Sequence, residues 1–175
     1  MSLKMPDPQL THLDSTGRAA MVDVGGKPIT ARIAVAEGFI TLQPATVRAI
    51  TVGEVPKGEV LNTARIAGIL AAKRTGELIP LCHPLPIDSV SVDFKFEGDF
   101  RLKIIATAKI TGKTGVEMEA LTAVTVAALT VYDMCKAIDK TMSIDGVKLV
   151  SKTGGTSHLV PAPVRTEVAS LGEDQ

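Results

Sequence analysis

Apolar and polar positions change their period several times along the chain, and each change marks an expected element. Residues 90–96, VSVDFKF, alternate; Glu97, Gly98 and Asp99 supply a turn; residues 102–110 alternate again, which predicts a β-hairpin. Residues 29–42, ITARIAVAEGFITL, are rich in β-branched side chains and are interrupted at Glu37 and Gly38, where a hairpin or a bulge is expected. Upstream, residues 19–24 make a short candidate strand that ends at Gly25 and Gly26. Pro44 opens a short helix through Ile50, and residues 53–58 form a loop. Asn62 is the expected cap of a helix through Arg74, with Lys73 and Arg74 in its last turn and Gly76 just beyond as the stop. Pro80, Pro84 and Pro86 force an extended, rigid loop through Leu81, Cys82, His83 and Leu85. Residues 142–150 read as a last strand with a turn at Asp145 and Gly146, followed by a glycine-rich exit at Gly154 and Gly155.

The strongest periodic stretch lies between these strands, in residues 109–140. A turn containing Gly112, Lys113, Thr114 and Gly115 leads into a helix that carries no charge from Ala120 to Val131 and is therefore expected to be buried nearly all round. Glu119, Thr122, Thr130 and Asp133 fall on one stripe of it, and Lys136 is the surface neighbour of Asp133. Glu119 and Asp133 are about 21 Å apart along such a helix. A compact site that used both carboxylates would have to be built by two chains.

The succession strand, helix, strand, strand, helix, strand is that of the split βαβ unit, an α+β ferredoxin-like fold with helices on one face of an antiparallel sheet. The other sheet face must be solvated or meet a partner, and an Ala- and Val-rich composition favours a partner. The 175 residues suit one domain, expected at 17–158, between a flexible tail at 1–16 and a disordered, proline-bearing tail at 159–175.

Composition excludes several classes. Nineteen Lys and Arg balance nineteen Asp and Glu, so no bulk field draws nucleic acid or an anionic membrane. No Trp, one Tyr and four Phe leave few platforms for stacking bases. The two cysteines, Cys82 and Cys135, match neither a disulfide framework nor a zinc spacing, and with no signal peptide or membrane-length apolar run the expectation is a cytoplasmic protein with reduced thiols.

Candidate chemistry is local. Gly112, Lys113 and Thr114 before a helix suggest a phosphate loop, but that pattern requires a glycine where Thr107 stands; a glycine-bearing turn at a helix start can still hold an anion, or be a simple turn. His83, fixed between Cys82 and Pro84, is a better candidate than His12 or His158 in the tails, with a hydrogen-bonding filler as its equal alternative. Asp133 and Lys136 make either an ordinary surface ion pair or, at the end of a helix stripped of charge, a partly buried pair suited to proton transfer or phosphate binding. Lys57, Lys152 and Arg32 become a phosphate clamp only if they converge on one pocket.

Taken together, Met21-Val22-Asp23-Val24, Thr63-Ala64-Arg65-Ile66-Ala67-Gly68, Leu78-Ile79-Pro80-Leu81-Cys82-His83-Pro84-Leu85, Leu121-Thr122-Ala123 and the stretches 110–123 and 132–137 resemble the molybdenum cofactor biosynthesis protein C family, the cyclic pyranopterin monophosphate synthases. The resemblance covers about residues 10–156 and rests on the combination of segments. It implies a ferredoxin-like subunit in a homohexamer, a trimer of dimers, with sites at the dimer interface. It also implies a lyase reaction: 3′,8-cyclo-7,8-dihydroguanosine 5′-triphosphate is rearranged to cyclic pyranopterin monophosphate with release of pyrophosphate.

Carried over by position, Asp133 resembles the catalytic acid/base and Lys57 and Lys136 its functional lysines. Leu81, Cys82 and His83 resemble substrate-loop residues, Met118 and Glu119 a second substrate contact, and Glu117 and Lys152 further functional positions. No metal ligand set is evident and no cofactor is expected, magnesium accompanying the triphosphate being the one ion left open. A competing reading from another class is a non-catalytic nucleotide-binding regulatory module. RNA binding is disfavoured by charge and aromatic content.

Overall fold

The computed structural model describes residues 16–155; the two expected tails, with His12 and His158, fall wholly or almost wholly outside them. The elements are β1 (Thr30–Thr41), α1 (Pro44–Val52), α2 (Val60–Lys73), the single turn α3 (Thr75–Leu78), β2 (Ser89–Glu97), β3 (Arg101–Gly112), α4 (Glu117–Cys135) and β4 (Ser143–Thr153). Their pairing is antiparallel throughout, in the order β2-β3-β1-β4. With α2 and α4 as the two main helices, this is the ferredoxin-like α+β arrangement read from the sequence.

Register explains which face is covered. Ala34, Ala36 and Ile40 of β1 and Leu102, Ile104, Ala106, Ala108 and Ile110 of β3 point to one side and are buried beneath the helices. Small side chains dominate at the centre, so α4 sits close to the sheet. Gly38 takes this furthest: a Cβ there would lie 2.6 Å from Cγ1 of Val124. The interruption at Glu37 and Gly38 is not a hairpin: β1 runs on unbroken and in register with β3, while its pairing with β4 slips between Val35 and Ala36 and again between Glu37 and Phe39, the extra residues lying on β4. Asp145 and Gly146 lie inside β4 at the second slip, where Gly146 (φ 60°) packs against Phe39, and so form no turn.

The opposite sheet face is charged as well as apolar. Glu37 pairs with Lys103 (2.7 Å) and Lys148 (3.1 Å), and the Arg101 guanidinium lies 4.0 Å over the Phe39 ring. Burial opposes ionisation of Glu37, but the two ammoniums outweigh it and lower its pKa.

Several boundaries differ from expectation. Glu59, not Asn62, caps α2, its carboxylate accepting from the backbone N–H of Leu61 and Asn62. Arg74 ends that helix and Gly76 is taken into α3, so it is not the stop. Residues 19–24 make only an isolated bridge at Ala19. The helix α4 is not buried all round, since Met118, Thr125 and Leu129 form an exposed stripe opposite Ala120, Ala123, Val124, Ala127 and Val131. By length and composition α4 could cross a membrane, yet half of that stretch is buried in this fold.

Candidate functional site

Three groups of polar side chains gather around α4, two at its start and one at its end. At the start, β3 ends at Gly112, residues 113–116 turn the chain, and Val116, 1% exposed, pins the turn into the core. Glu117, Met118 and Glu119 thus occupy the first helical turn, where acidic residues complement the helix dipole.

The proline loop comes up beside this turn. Backbone bonds from Cys82 N–H to Ile79 O (3.0 Å) and Asp88 N–H to Lys109 O (2.9 Å) bracket it, while Leu85 and Ile87 pack against the core. The imidazole of His83 donates from Nε2 to the carbonyl of Val22 at 2.9 Å, tying the N-terminal segment across the opening. Asp23 accepts from Gly25 N–H (2.7 Å), and Lys113 Nζ donates to Gly25 O (2.6 Å). Between loop, segment and helix lies a cleft of about 430 Å³ whose walls include Leu81, Cys82, His83, Glu117, Met118 and Glu119.

Glu119 is only 3% exposed, and burial pushes its carboxyl up to about 7; a hydrogen bond from its own N–H works the other way and the charge of Glu117 adds to the rise. Cys82 is raised too, by desolvation and then by Glu119, and Cys135 is fully buried and pushed up to about 11. Neither thiol is a ready thiolate at neutral pH.

A second cavity, about 160 Å³, adjoins the cleft and shares Lys27, Thr114, Gly115 and Glu117 with it. It collects Lys27, Arg32, Lys113 and Lys152 against the single carboxylate Glu117. Arg32 is held by the carbonyls of Gly112 (3.1 Å, from Nε) and Lys113 (3.0 Å, from Nη2), and Lys152 pairs with Glu117 at 2.9 Å. Arg32 and Lys152 do converge on one pocket. The sequence assigns no role to Lys27, whose only signal is its place beside Gly25 and Gly26, and sets Lys113 in a glycine-bearing turn that can hold an anion.

Lys57 does not join them. At the far end of α4, Asp133 offers Oδ2 to Lys57 Nζ at 2.6 Å and Oδ1 to Lys136 Nζ at 2.7 Å. The buried anchor Val55 holds the Lys57 loop in reach. All three side chains are about half exposed, so the pair expected to be partly buried is open in the single chain. Hydrogen bonds from Lys136 and then Lys57 hold the Asp133 carboxyl down at about 2, and Asp133 in turn raises Lys136. Asp133 is therefore an anion clamped by two cations, not a ready proton donor. Among the described residues, no cluster of three His, Cys, Asp or Glu side chains could hold a metal ion.

Comparison with known proteins gives this arrangement a lineage. Residues 21–155 match the model of the MoaC family. The chain belongs to the MoaC family. The cyclic pyranopterin monophosphate synthase of Chloroflexus aggregans is 61% identical over 150 residues, 85% of this chain and 91% of its own. That of Novosphingobium aromaticivorans is 61% identical over 148 residues, with 85% and 94% covered, and that of Brevibacillus brevis 57% over 149, with 85% and 93%. The matched MoaC segment contains both cavities and the Asp133 cluster.

Proposed function

We propose that this chain is a cyclic pyranopterin monophosphate synthase, a phosphorus–oxygen lyase that converts 3′,8-cyclo-7,8-dihydroguanosine 5′-triphosphate to cyclic pyranopterin monophosphate and pyrophosphate in molybdenum cofactor biosynthesis. Relatives about 60% identical over most of their length carry that name, which favours the enzyme over a regulatory module.

The observation that carries the reading is the pair of adjoining cavities at the start of α4. One has largely apolar walls with the carboxyls of Glu117 and Glu119, and the other gathers four cations around Glu117. Base and polyphosphate are the two halves of a nucleoside triphosphate, and the shared residues Thr114 and Gly115 mark where they would join. A sugar-derived hydroxyl oxygen would attack the α-phosphorus, the bond from that phosphorus to the bridging oxygen would break, and pyrophosphate would leave with the electron pair, the hydroxyl proton passing to it. Lys27, Arg32, Lys113 and Lys152 would take up the charge that grows on it. Magnesium, if it accompanies the triphosphate, would ride on those phosphate oxygens.

The ring rearrangement also needs proton transfers. Lys136 and Lys57 supply ammonium protons, and Asp133 accepts one only after an ammonium leaves it for the substrate. Since about 21 Å of helix separates Glu119 from Asp133 in one chain, we take the Asp133 cluster to complete the cleft of a neighbouring subunit, within a homohexamer built as a trimer of dimers. The exposed stripe of Met118 and Leu129 beside both clusters suits such a contact. We assign the protein to the cytoplasm, where the nucleotide is available.

The test is to incubate purified protein with the enzymatically prepared cyclised triphosphate, following pyrophosphate release and the fluorescent pterin formed on oxidation. Both products support the lyase. A triphosphate bound and returned intact supports the regulatory module instead.

A further inference from the structure

The helix α1 has no N-terminal cap of its own. Gln43 stands at the cap position with no side-chain bond to the helix, Pro44 follows, and the first turn holds no acidic residue. The carboxylate comes instead from 96 positions later in the chain: Oδ2 of Asp139 accepts from Gln43 N–H (2.8 Å) and from Thr46 Oγ1 (3.1 Å). Its Oδ1 accepts from Thr141 N–H (2.9 Å) and Thr141 Oγ1 (2.8 Å), and Gln43 Nε2 closes the ring by donating to Thr141 Oγ1 (3.0 Å). Asp139 and Thr46 are both buried. Burial opposes ionisation of Asp139, but these bonds outweigh it and lower its pKa. A carboxylate so enclosed and so fully bonded holds its neighbours to one geometry.

What it joins are the two segments that deliver the lysines of the Asp133 cluster. Asp139 follows Lys136 on the turn that closes α4, where its N–H and that of Ile138 both donate to Cys135 O (3.0 and 2.9 Å) and Cys135 is fully buried. At the other end of α1, Gly53 takes the left-handed conformation (φ 76°), Glu54 N–H returns to Ala49 O (2.9 Å), and buried Val55 accepts from Gly58 N–H (2.9 Å). Lys57 sits inside that last turn and reaches Asp133 Oδ2. The end of α4 therefore meets α1 twice: Asp139 grips its start, and Asp133 meets the lysine presented beyond its far end. Lys57 and Lys136 are about half exposed, so packing of their side chains does not fix them. The backbone that carries each does, and Asp139 is common to both.

We propose that Asp139 is a positioning residue for the Asp133 cluster: by capping α1 from the end of α4 it sets where Lys57 stands relative to Lys136 and Asp133. The assignment rests on the lyase reading above, in which those lysines supply ammonium protons, and extends it to a residue outside the reacting groups. Asp139 lines neither cavity and acts only through the two lysines. Displacing a reacting group by about 1 Å costs on the order of a hundredfold in rate, so a small rotation of α1 is felt in turnover before it is felt in binding.

The experiment compares wild type, Asp139→Asn and Thr46→Val as assembled proteins, by amide hydrogen exchange and by turnover of the cyclised triphosphate well below each Tm. Asp139→Asn keeps the shape but turns a donor toward other donors, whereas Thr46→Val removes one bond and leaves the carboxylate in place. In Asp139→Asn the bonded amides of Glu54 and Gly58 are expected to exchange at least about fivefold faster, the size of one lost helix cap, with those of β1 and β3 unchanged. Its kcat is expected to fall at least about tenfold with KM within about twofold of wild type. Thr46→Val should show the same pattern on a smaller scale, and it decides alone if Asp139→Asn does not assemble. A wild-type kcat in variants that have only lost Tm overturns the proposal, as does a rise in KM without a fall in kcat, or exchange that quickens everywhere equally. A wild type that turns over nothing sinks the lyase, and the exchange at Glu54 and Gly58 then still upholds or overturns the hold of Asp139 on the Lys57 loop.

Discussion

Gly76 stands against Pro84 so closely that a Cβ on the glycine would lie 2.9 Å from the proline Cα, with the carbonyl of His83 at 3.1 Å. Both contacts are backbone, which does not yield as a side chain end does. The α3 turn therefore sets the height of the proline loop, and with it His83 and Cys82. Gly76→Ala is expected to lose about 1–3 kcal/mol of stability and to raise KM more than it lowers Tm-corrected kcat. Unchanged kinetics with a full loss of stability would leave the loop's position independent of α3.

Asp133→Asn should abolish turnover while leaving secondary structure and oligomeric size unchanged, because the side chain is about half exposed and supports nothing in the core. Lys57 and Lys136 then lose the carboxylate that holds each at a fixed position. An active Asp133→Asn protein would remove Asp133 from the mechanism.

Mixing gives a separate test of the two-chain site. A His83→Ala protein and an Asp133→Asn protein, each inactive, are expected to recover partial activity after co-refolding, since one class of site then has both native halves. No recovery from a verified mixed oligomer would mean that these two residues do not pair across subunits.

Lys152 meets Glu117 at 2.9 Å at the mouth of the cationic cavity. Lys152→Met is expected to raise KM for the triphosphate roughly tenfold or more, the size of one lost charge-assisted bond to phosphate, and to flatten the salt dependence of kcat/KM. A change in kcat alone would assign Lys152 to a chemical step instead.

Glu119 makes a pH prediction whose sign is unusual for a carboxylate. Its pKa rises from 4.5 to about 7 on folding, so the folded chain holds the proton more tightly than the unfolded one. The stabilisation is full below about pH 4.5 and is lost as pH rises through about 7, a total on the order of 3 kcal/mol. Glu119→Gln lacks this dependence. Relative to wild type it should therefore gain stability from about pH 5 to about pH 8 in urea unfolding, and a constant difference would mean that Glu119 stays ionised throughout.

The alternation in β2 and β3, the Pro44 helix and the long α4 pattern make the succession of elements legible in the sequence alone. Their register is not. In residues 29–42 both faces are apolar or small, so period alone could not say that Arg32 shares a face with Ala34 and Ala36 and reaches the cationic cavity. Nor could it distinguish a hairpin from a bulge at Gly38, because the reason for glycine there is Val124, a residue on another element. His83 and Glu119, which the motifs single out, do line one cleft. Beyond its neighbouring glycines Lys27 carries no sequence signal, because an isolated lysine in a turn looks like solvated surface until the fold brings it beside Arg32, Lys113 and Lys152. Burial of the Asp133 pair was expected from the bare apolar helix before it, but the helix covers the sheet with its other side and leaves Asp133 outside.

The two slips between β1 and β4 matter beyond the local bend. An outer strand with regular spacing presents a row of free backbone groups on which another polypeptide can lay itself down, and so seeds fibrous aggregates. Here the outer strand β4 carries the extra residues, Val150 opposite Val35/Ala36 and Gly146 with Val147 opposite Gly38, and bears Asp145, Lys148 and Lys152 along its length. A straight newcomer cannot match that spacing, so β4 resists runaway sheet growth on its side of the fold.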